Sequence, residues 1–233
     1  AQSAKMLQRV VQLAPMDMSA RSRLIDQLIS RGQVDDAIRE YIELADIYYR
    51  LADLDMARKT FTTALRVVQQ HNVDRSWNFH ILQRMADIDM QRLDWKQAIR
   101  VYEQIRTLRP NDEATRKSLI DLNFKLGQPA QANAEIESYL SYLQSSNRDA
   151  QIVPFLEEVL NERPSDMLVK RALAQAYQQA GRVEDAVAQL DTVADTLLSV
   201  GKKEEAMMIV NQILLLNPPN SEQYRQLLSQ IQQ

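Results

Sequence analysis

Glycine occurs in this chain at one fixed place in a recurring phrase. All 4 glycines open a six-residue segment that has alanine at its last position. The copies occupy residues 32–37, 127–132, 181–186 and 201–206. Glycine ends a helix in the left-handed conformation at little steric cost, and the alanine marks where the next helix comes close to its neighbour. Such a phrase predicts an all-α solenoid built from helical hairpins.

The alanine position measures the length of each repeat. Its equivalents along the chain are Ala37, Ala57, Ala98, Ala132, Ile152, Ala186 and Ala206. These positions are 20, 41, 34, 20, 34 and 20 residues apart. A 20-residue step leaves room for one helix, which must then end one repeat and begin the next. Residues 34–51, 129–145 and 183–200 are predicted to be such shared helices, about one turn longer than their neighbours.

Two further positions recur with the alanine. The helix-ending position five residues before it is Gly32, Ala52, Leu93, Gly127, Asn147, Gly181 or Gly201. Proline followed two residues later by a helix-capping residue occurs as Pro15 with Asp17, Pro110 with Asp112, Pro164 with Asp166, and Pro218 with Asn220. Proline pushes its predecessor out of the helical region, and each capping side chain is predicted to accept a hydrogen bond from an amide of the next helix.

Apolar residues recur at helical spacing throughout the chain, and strand-like alternation is absent. The sequence predicts helices at 3–13, 18–31, 34–51, 54–71, 75–92, 95–108, 112–126, 129–145, 149–162, 166–180, 183–200, 203–216 and 221–232. We therefore expect about 13 helices in one solenoid over residues 1–233.

Composition narrows the classes of function. Cysteine is absent, so a disulfide framework and thiolate chemistry are excluded, and we expect a cytoplasmic protein. No run of about 18 apolar residues is present, and we expect no membrane contact. Residues 1–111 have 17 basic and 14 acidic side chains, and residues 112–233 have 11 and 17. With basic and acidic residues so nearly balanced, the sequence lacks the basic stripe that is typical of a nucleic-acid-binding protein.

No residue pattern points to catalysis. The only histidines, His71 and His80, are nine residues apart and match no short metal-binding motif. No glycine-rich phosphate loop exists. Acidic pairs such as Glu184 with Asp185 open predicted helices, where they favour the positive end of the helix dipole. We expect a protein that is not an enzyme, with no catalytic or metal-binding residue and no cofactor.

The repeat resembles the tetratricopeptide repeat. The resemblance rests on the 34-residue step and on the order leucine, small residue, tyrosine, glycine, alanine, aromatic, alanine and proline. The copy at 167–200 has Leu173, Ala174, Tyr177, Gly181 and Ala186 in that order, followed by Leu190 at the aromatic position. The resemblance covers nearly the whole chain and implies a right-handed α-solenoid that binds protein segments.

In this family the first helix of each repeat lines the concave face. Carried over by register, the resemblance implies three lining positions on each of four such helices. They are Ser22, Asp26 and Ile29, then Gln83, Asp87 and Met90, then Lys117, Asp121 and Phe124, and then Arg171, Gln175 and Gln178. The predicted partner-binding residues are Asp87, Met90, Lys117, Asp121, Phe124, Arg171 and Gln175.

Binding of a peptide through its C-terminal carboxylate does not fit these lining residues. The family's peptide-clamping members use asparagine and lysine to hold a C-terminal carboxylate. This chain has Asp26, Asp87, Asp121 and Gln175 where that asparagine stands, and aspartate repels a carboxylate.

The sequence therefore predicts a non-enzymatic scaffold that binds a protein or peptide on its concave face. Two alternatives stay open. The first is self-association through the terminal helices, whose apolar stripes include Met6, Val10 and Leu13 at one end and Tyr224 and Ile231 at the other. The second is RNA binding by helical repeats. We also expect the chain to be a piece of a longer protein or one processed at its N-terminus.

Overall fold

The computed structural model describes residues 2–232 of the chain, and the side chains of 3–232. In that range the chain forms 13 α-helices and no strand. The helices are α1 (Gln2–Leu13), α2 (Met18–Ser30), α3 (Val34–Arg50), α4 (Leu54–Gln70), α5 (Ser76–Gln91), α6 (Trp95–Leu108), α7 (Glu113–Lys125), α8 (Pro129–Ser145), α9 (Ile152–Glu162), α10 (Met167–Gln179), α11 (Val183–Ser199), α12 (Lys203–Leu215) and α13 (Ser221–Ile231). The predicted all-α helical-repeat solenoid is confirmed.

The chain divides into two compact units. The first is Ala1–Ile136 and the second is Glu137–Gln233, so the boundary falls within α8. In the first unit each helix from α1 to α6 packs against the next one along the chain, and α6 packs against α7. In the second unit the same holds from α9 to α13. The prediction of one solenoid over 1–233 stays a prediction.

Every predicted helix-ending position has a left-handed backbone. The φ angles of the four glycines lie between 68° and 77°. Ala52, Leu93 and Asn147 take φ angles of 59°, 56° and 55° at the equivalent positions without being glycine. Asn217, which the repeat phrase does not mark, has φ 50° and ends α12 in the same way.

Three of the four predicted N-caps are confirmed. Asp17 accepts from the amide of Ala20, Asp112 from that of Thr115, and Asp166 from those of Leu168 and Val169. The prediction for Asn220 is wrong. Its side-chain amide donates to Oε1 of Gln223 at 3.3 Å, and its ψ of 28° lies outside the extended region in which an N-cap usually sits.

The alanines of the phrase lie at the helix contacts. All six of them, Ala37, Ala57, Ala98, Ala132, Ala186 and Ala206, are 0% exposed. The shared helix α11 is unbroken and packs against both α10 and α12, as predicted. The expected difference in length is not general, because α4 has the same 17 residues as the shared helices α3, α8 and α11.

Ion pairs recur in the interior at equivalent repeat positions. In α2, Arg21 pairs with Glu40 of α3 and donates to the carbonyl oxygen of Pro15. In α7, Arg116 pairs with Glu135 of α8 at 2.7 Å and donates to the carbonyl oxygen of Pro110. The second pair is 5% and 6% exposed at its side chains. Each arginine thus joins a helix to its neighbour and to the proline turn before it.

The terminal helices differ in how they use their apolar stripes. On α13, Tyr224 and Ile231 are buried, and Leu227 and Leu228 of the same stripe are half-buried, so this stripe is largely used in packing within the second unit. On α1, Met6 and Leu13 are 69% and 74% exposed. The first helix therefore presents apolar side chains at the surface, as the sequence predicts.

Candidate functional site

The first unit repeats aspartate six residues before each helix-ending position. These residues are Asp26 on α2, Asp46 on α3, Asp87 on α5 and Asp121 on α7, and we call them the Asp row. Asp26 and Asp87 are exposed, and the other two are partly exposed. Sequence reasoning missed Asp46. The left-handed Ala52 six residues later is the signal that places it, because Ala52 ends the shared helix α3 as Gly32 ends α2.

Arg84 on α5 forms salt bridges with the two middle aspartates of the Asp row, Asp46 and Asp87. Its guanidinium lies 2.6 Å from Oδ1 of Asp46 and 3.9 Å from Oδ2 of Asp87. It also lies over the ring of Tyr49, 5.0 Å from the centroid. Tyr49 in turn accepts a hydrogen bond from Gln91 of α5. This face of α3 is therefore joined laterally to α5, and the two carboxylates share one cation.

Tyrosines stand beside two of the aspartates. Burial raises the pKa of the Tyr41 phenol, and the charge of Asp26 raises it further. Burial also raises the pKa of Tyr102, the hydrogen bond with Ser118 of α7 lowers it, and the charge of Asp87 raises it. Tyr102 of α6 therefore lies close to side chains of both α5 and α7.

The carboxyl group of Asp87 is itself perturbed. Desolvation by the surrounding protein raises its pKa, and the charge of Arg84 opposes that change. Met90, one turn further along α5, is half-buried. The predicted pair on α5 thus combines a surface carboxylate with partly covered apolar surface.

The predicted residues of α7 are partly exposed and paired along their own helix. Lys117 lies 2.6 Å from Glu113, and Lys125 lies 2.7 Å from Asp121. Phe124 is half-buried. Because each charge has a partner one turn away, α7 presents nearly neutral polar pairs flanking an aromatic ring.

The predicted residues of α10 line a cavity in the second unit. The cavity has a volume of about 570 Å³. Its lining includes Arg171, Gln175 and Gln178 of α10, together with Leu140 of α8, Leu190 of α11 and Gln212 of α12. Arg171 and Gln175 are exposed. The register brings the three α10 residues together, whereas the contributions of α8, α11 and α12 were missed.

Neither unit offers a metal centre or a membrane span among its described residues. Within 2–232, no three His, Cys, Asp or Glu side chains gather closely enough to hold a metal ion. His71 places Nδ1 2.9 Å from the carbonyl oxygen of Val67, at the end of α4. None of the helices so described combines the length and the apolar character needed to cross a bilayer.

In the comparison with protein families, the model of the soluble NSF attachment protein, SNAP, matches residues 1–150. Comparison with curated proteins finds no match.

Among solved structures, the chain is similar to a tetratricopeptide repeat protein from Parabacteroides merdae, with 15% identity, complete coverage of both chains and a TM-score of 0.43. It is similar to BtubC from P. vanneervenii with 14% identity, covering 97% of this chain and 91% of that one, with a TM-score of 0.42. It is also similar to YrrB, described as a tetratricopeptide repeat protein with an unusual peptide-binding site, with 14% identity, coverage of 82% and 92%, and a TM-score of 0.36.

Proposed function

Because this chain belongs to the soluble NSF attachment protein family, we propose that it is a non-enzymatic scaffold that binds a segment of another protein. In the first unit the proposed binding residues include the Asp row, and in the second unit they include Arg171 and Gln175. The observation that carries the proposal is the constant register of the Asp row on α2, α3, α5 and α7. Packing does not require such a row, because its side chains are exposed or partly exposed.

The chemistry of this face suits a protein ligand. Protein interfaces combine apolar contact with a limited number of oriented polar groups. Here the half-buried Met90 and Phe124 stand beside Asp87 and Asp121, and Arg84 holds two carboxylates in place. A row of aspartates opposes binding of the phosphates of RNA. Self-association through α13 is not proposed, because Tyr224 and Ile231 are buried.

The partner is proposed only as a protein segment. The family is named for attachment to NSF, but its model ends at residue 150, whereas Arg171 and Gln175 lie beyond that point.

Site-specific photo-crosslinking tests the proposal. A photoreactive phenylalanine analogue replaces Gln83 of α5 or Gln175 of α10, both exposed positions of the predicted rows. Matched controls carry it at Lys59 of α4 or Asn161 of α9, which are exposed on helices outside the rows. Exposed substitutions of this kind change stability by less than about 0.5 kcal/mol.

We expect the two row positions to capture a protein from source-cell lysate and the two controls to capture none. Capture from the control positions alone would place recognition on another face. If no position captured a protein, the scaffold function would be wrong.

A further inference from the structure

The cavity of the second unit has a cationic wall. Arg171 is exposed and has no salt-bridge partner among the side chains described for 3–232. Some other cations of this unit are paired, as Arg182 is with Asp185 and Arg225 with Glu222. The carboxylate of Glu137 lies on the α8 wall. A ligand with an acidic side chain is therefore directed to the α10 wall, where the guanidinium can take two oxygens at once.

The cavity also has carboxamides with no hydrogen bond to the rest of the described chain. They belong to Gln175, Gln178 and Gln212. Each offers two donors and an acceptor. An extended polypeptide presents unpaired N–H and C=O groups that match this set, whereas a helix has already paired its own. The amides therefore favour an extended segment over a helical one.

An apolar surface lies next to the cation. Leu168 is 53% exposed and stands three residues before Arg171 on α10, so the two side chains are neighbours about 5–6 Å apart at Cβ. Leu140 and Leu190 continue the apolar lining. In an extended chain, residues i and i+2 face the same side and are separated by about 7 Å. That spacing lets an apolar side chain contact Leu168 while an acidic one reaches Arg171.

We propose that this cavity binds an extended segment of a partner protein in which an apolar residue and an acidic residue stand two positions apart. The inference rests on the scaffold function proposed above and adds to it the chemistry of the bound segment. The ligand thus pairs Arg171, covers Leu168 and satisfies the three glutamine amides with its backbone.

Short labelled peptides test this assignment on the whole chain. The probe is a fluorescein-labelled eight-residue peptide in which leucine and glutamate alternate with threonine. A second probe has lysine in place of glutamate, and a third has the glutamate sequence with N-methylated backbone amides. Peptides of this length are too short to form stable helices in water. Fluorescence anisotropy gives the dissociation constant of each.

We expect the glutamate peptide to bind at least about tenfold more tightly than the lysine peptide, because the charge partner is inverted. N-methylation should weaken binding by a similar factor. Arg171→Glu should reverse the preference between the glutamate and lysine peptides. Arg148→Glu, the same charge change at an exposed residue outside the cavity, should leave it unchanged.

Equal affinity for the glutamate and lysine peptides would overturn the acidic assignment. Undiminished binding of the N-methylated peptide would overturn the extended one. If none of the three peptides bound, the whole inference would be wrong. The scaffold function would still stand or fall by the photo-crosslinking result, so the two failures are distinguishable.

Discussion

At the scale of single residues, the alanines of the repeated phrase set how closely neighbouring helices approach. Ala186 is 0% exposed on α11, whereas Ala188, two residues later on the same helix, is exposed. Ala186→Leu should lower the free energy of unfolding by about 1–3 kcal/mol, because extra methylenes overpack a filled contact. Urea unfolding measures the change. Ala188→Leu is the matched control and should leave stability nearly unchanged; equal effects of the two substitutions would contradict the assignment.

The buried carboxylate of Glu135 in the first unit gives a second prediction at this scale. Glu135 accepts from Arg106 and Arg116 at 6% side-chain exposure. Glu135→Ala leaves the buried Arg116 charge without this carboxylate and should cost about 3 kcal/mol. Glu137→Ala, at an exposed position of the same helix, is the control for loss of a glutamate. Equal denaturation midpoints for the two variants would show that the pair adds little to stability.

Tyr177 predicts a dependence of stability on alkaline pH. Burial, and after it the hydrogen bond that the phenol donates to Glu157 at 2.6 Å, together raise the pKa of Tyr177 from 10.0 to about 12. A raised phenol pKa stabilises the folded state through the protonated form. This contribution is fully present below the unfolded pKa of 10.0 and is lost as pH rises through about 12.

Urea unfolding of the wild type and of Tyr177→Phe at several pH values tests this dependence. The stability difference between the two proteins should be constant below pH 9 and should shrink between about pH 10 and 12. The other tyrosines, present in both proteins, cancel in the comparison. A difference that stayed constant through that range would contradict the raised pKa.

At the scale of elements, eight of the described helices end on a left-handed residue. Most of these residues are glycine or asparagine, so Leu93 at the end of α5 is a point of strain. It has φ 56° and is 71% exposed. Leu93→Gly should raise the free energy of unfolding by about 0.5–1 kcal/mol, since relief of the left-handed strain exceeds the added entropy of the unfolded chain. Leu108→Gly, at the half-exposed last residue of α6, should instead cost up to about 1 kcal/mol. Differential scanning calorimetry distinguishes the expected stabilisation by Leu93→Gly from the expected destabilisation by Leu108→Gly. If both substitutions lowered the stability, Leu93 would not be strained.

Local rules predicted the helices well and their tertiary partners poorly. The Pro–Asp pairs and the phrase act within a few residues, so α2, α7 and α10 begin within one residue of prediction. The start of α9 differs by three residues because Asp149–Gln151 form a 3-10 turn before Ile152. The pairing of Arg21 with Glu40 joins residues 19 apart on two helices, which no local pattern reveals.

In the candidate site, too, residues on one helix were predicted and their partners on other helices were not. A single helix register was enough to group Arg171, Gln175 and Gln178, because they share one face of α10. The cavity they line also needs Leu140 and Gln212, which come from other helices and enter only through packing. Register alone therefore identifies one wall of a site and leaves the remaining walls undetermined.

At the scale of the whole molecule, most helices pack chiefly against their neighbours along the chain, so stability should vary from helix to helix. Within the described residues, α1 packs against α2 and exposes Met6 and Leu13, whereas α10 packs against both α9 and α11. Amide hydrogen exchange should be faster in α1 than in α10, because local opening of α1 breaks fewer contacts. Mass spectrometry of exchanged peptides measures this difference. Equal protection of the two helices would contradict it.

The shared helices also fix the increment by which such a chain can be shortened or lengthened. In an array of plain hairpins, deleting one helix brings together two helices of the same type, whose apolar faces do not match. The helix α11 carries both apolar stripes, and Ala186 and Ala206 at the starts of α11 and α12 are equivalent positions 20 residues apart. Deleting residues 186–205 therefore joins α10 to the equivalent point of α12 as an ordinary 34-residue hairpin. Gain or loss of one helix at a shared helix therefore keeps the equivalent helix faces in contact. An odd number of helices in the array follows naturally from such a change.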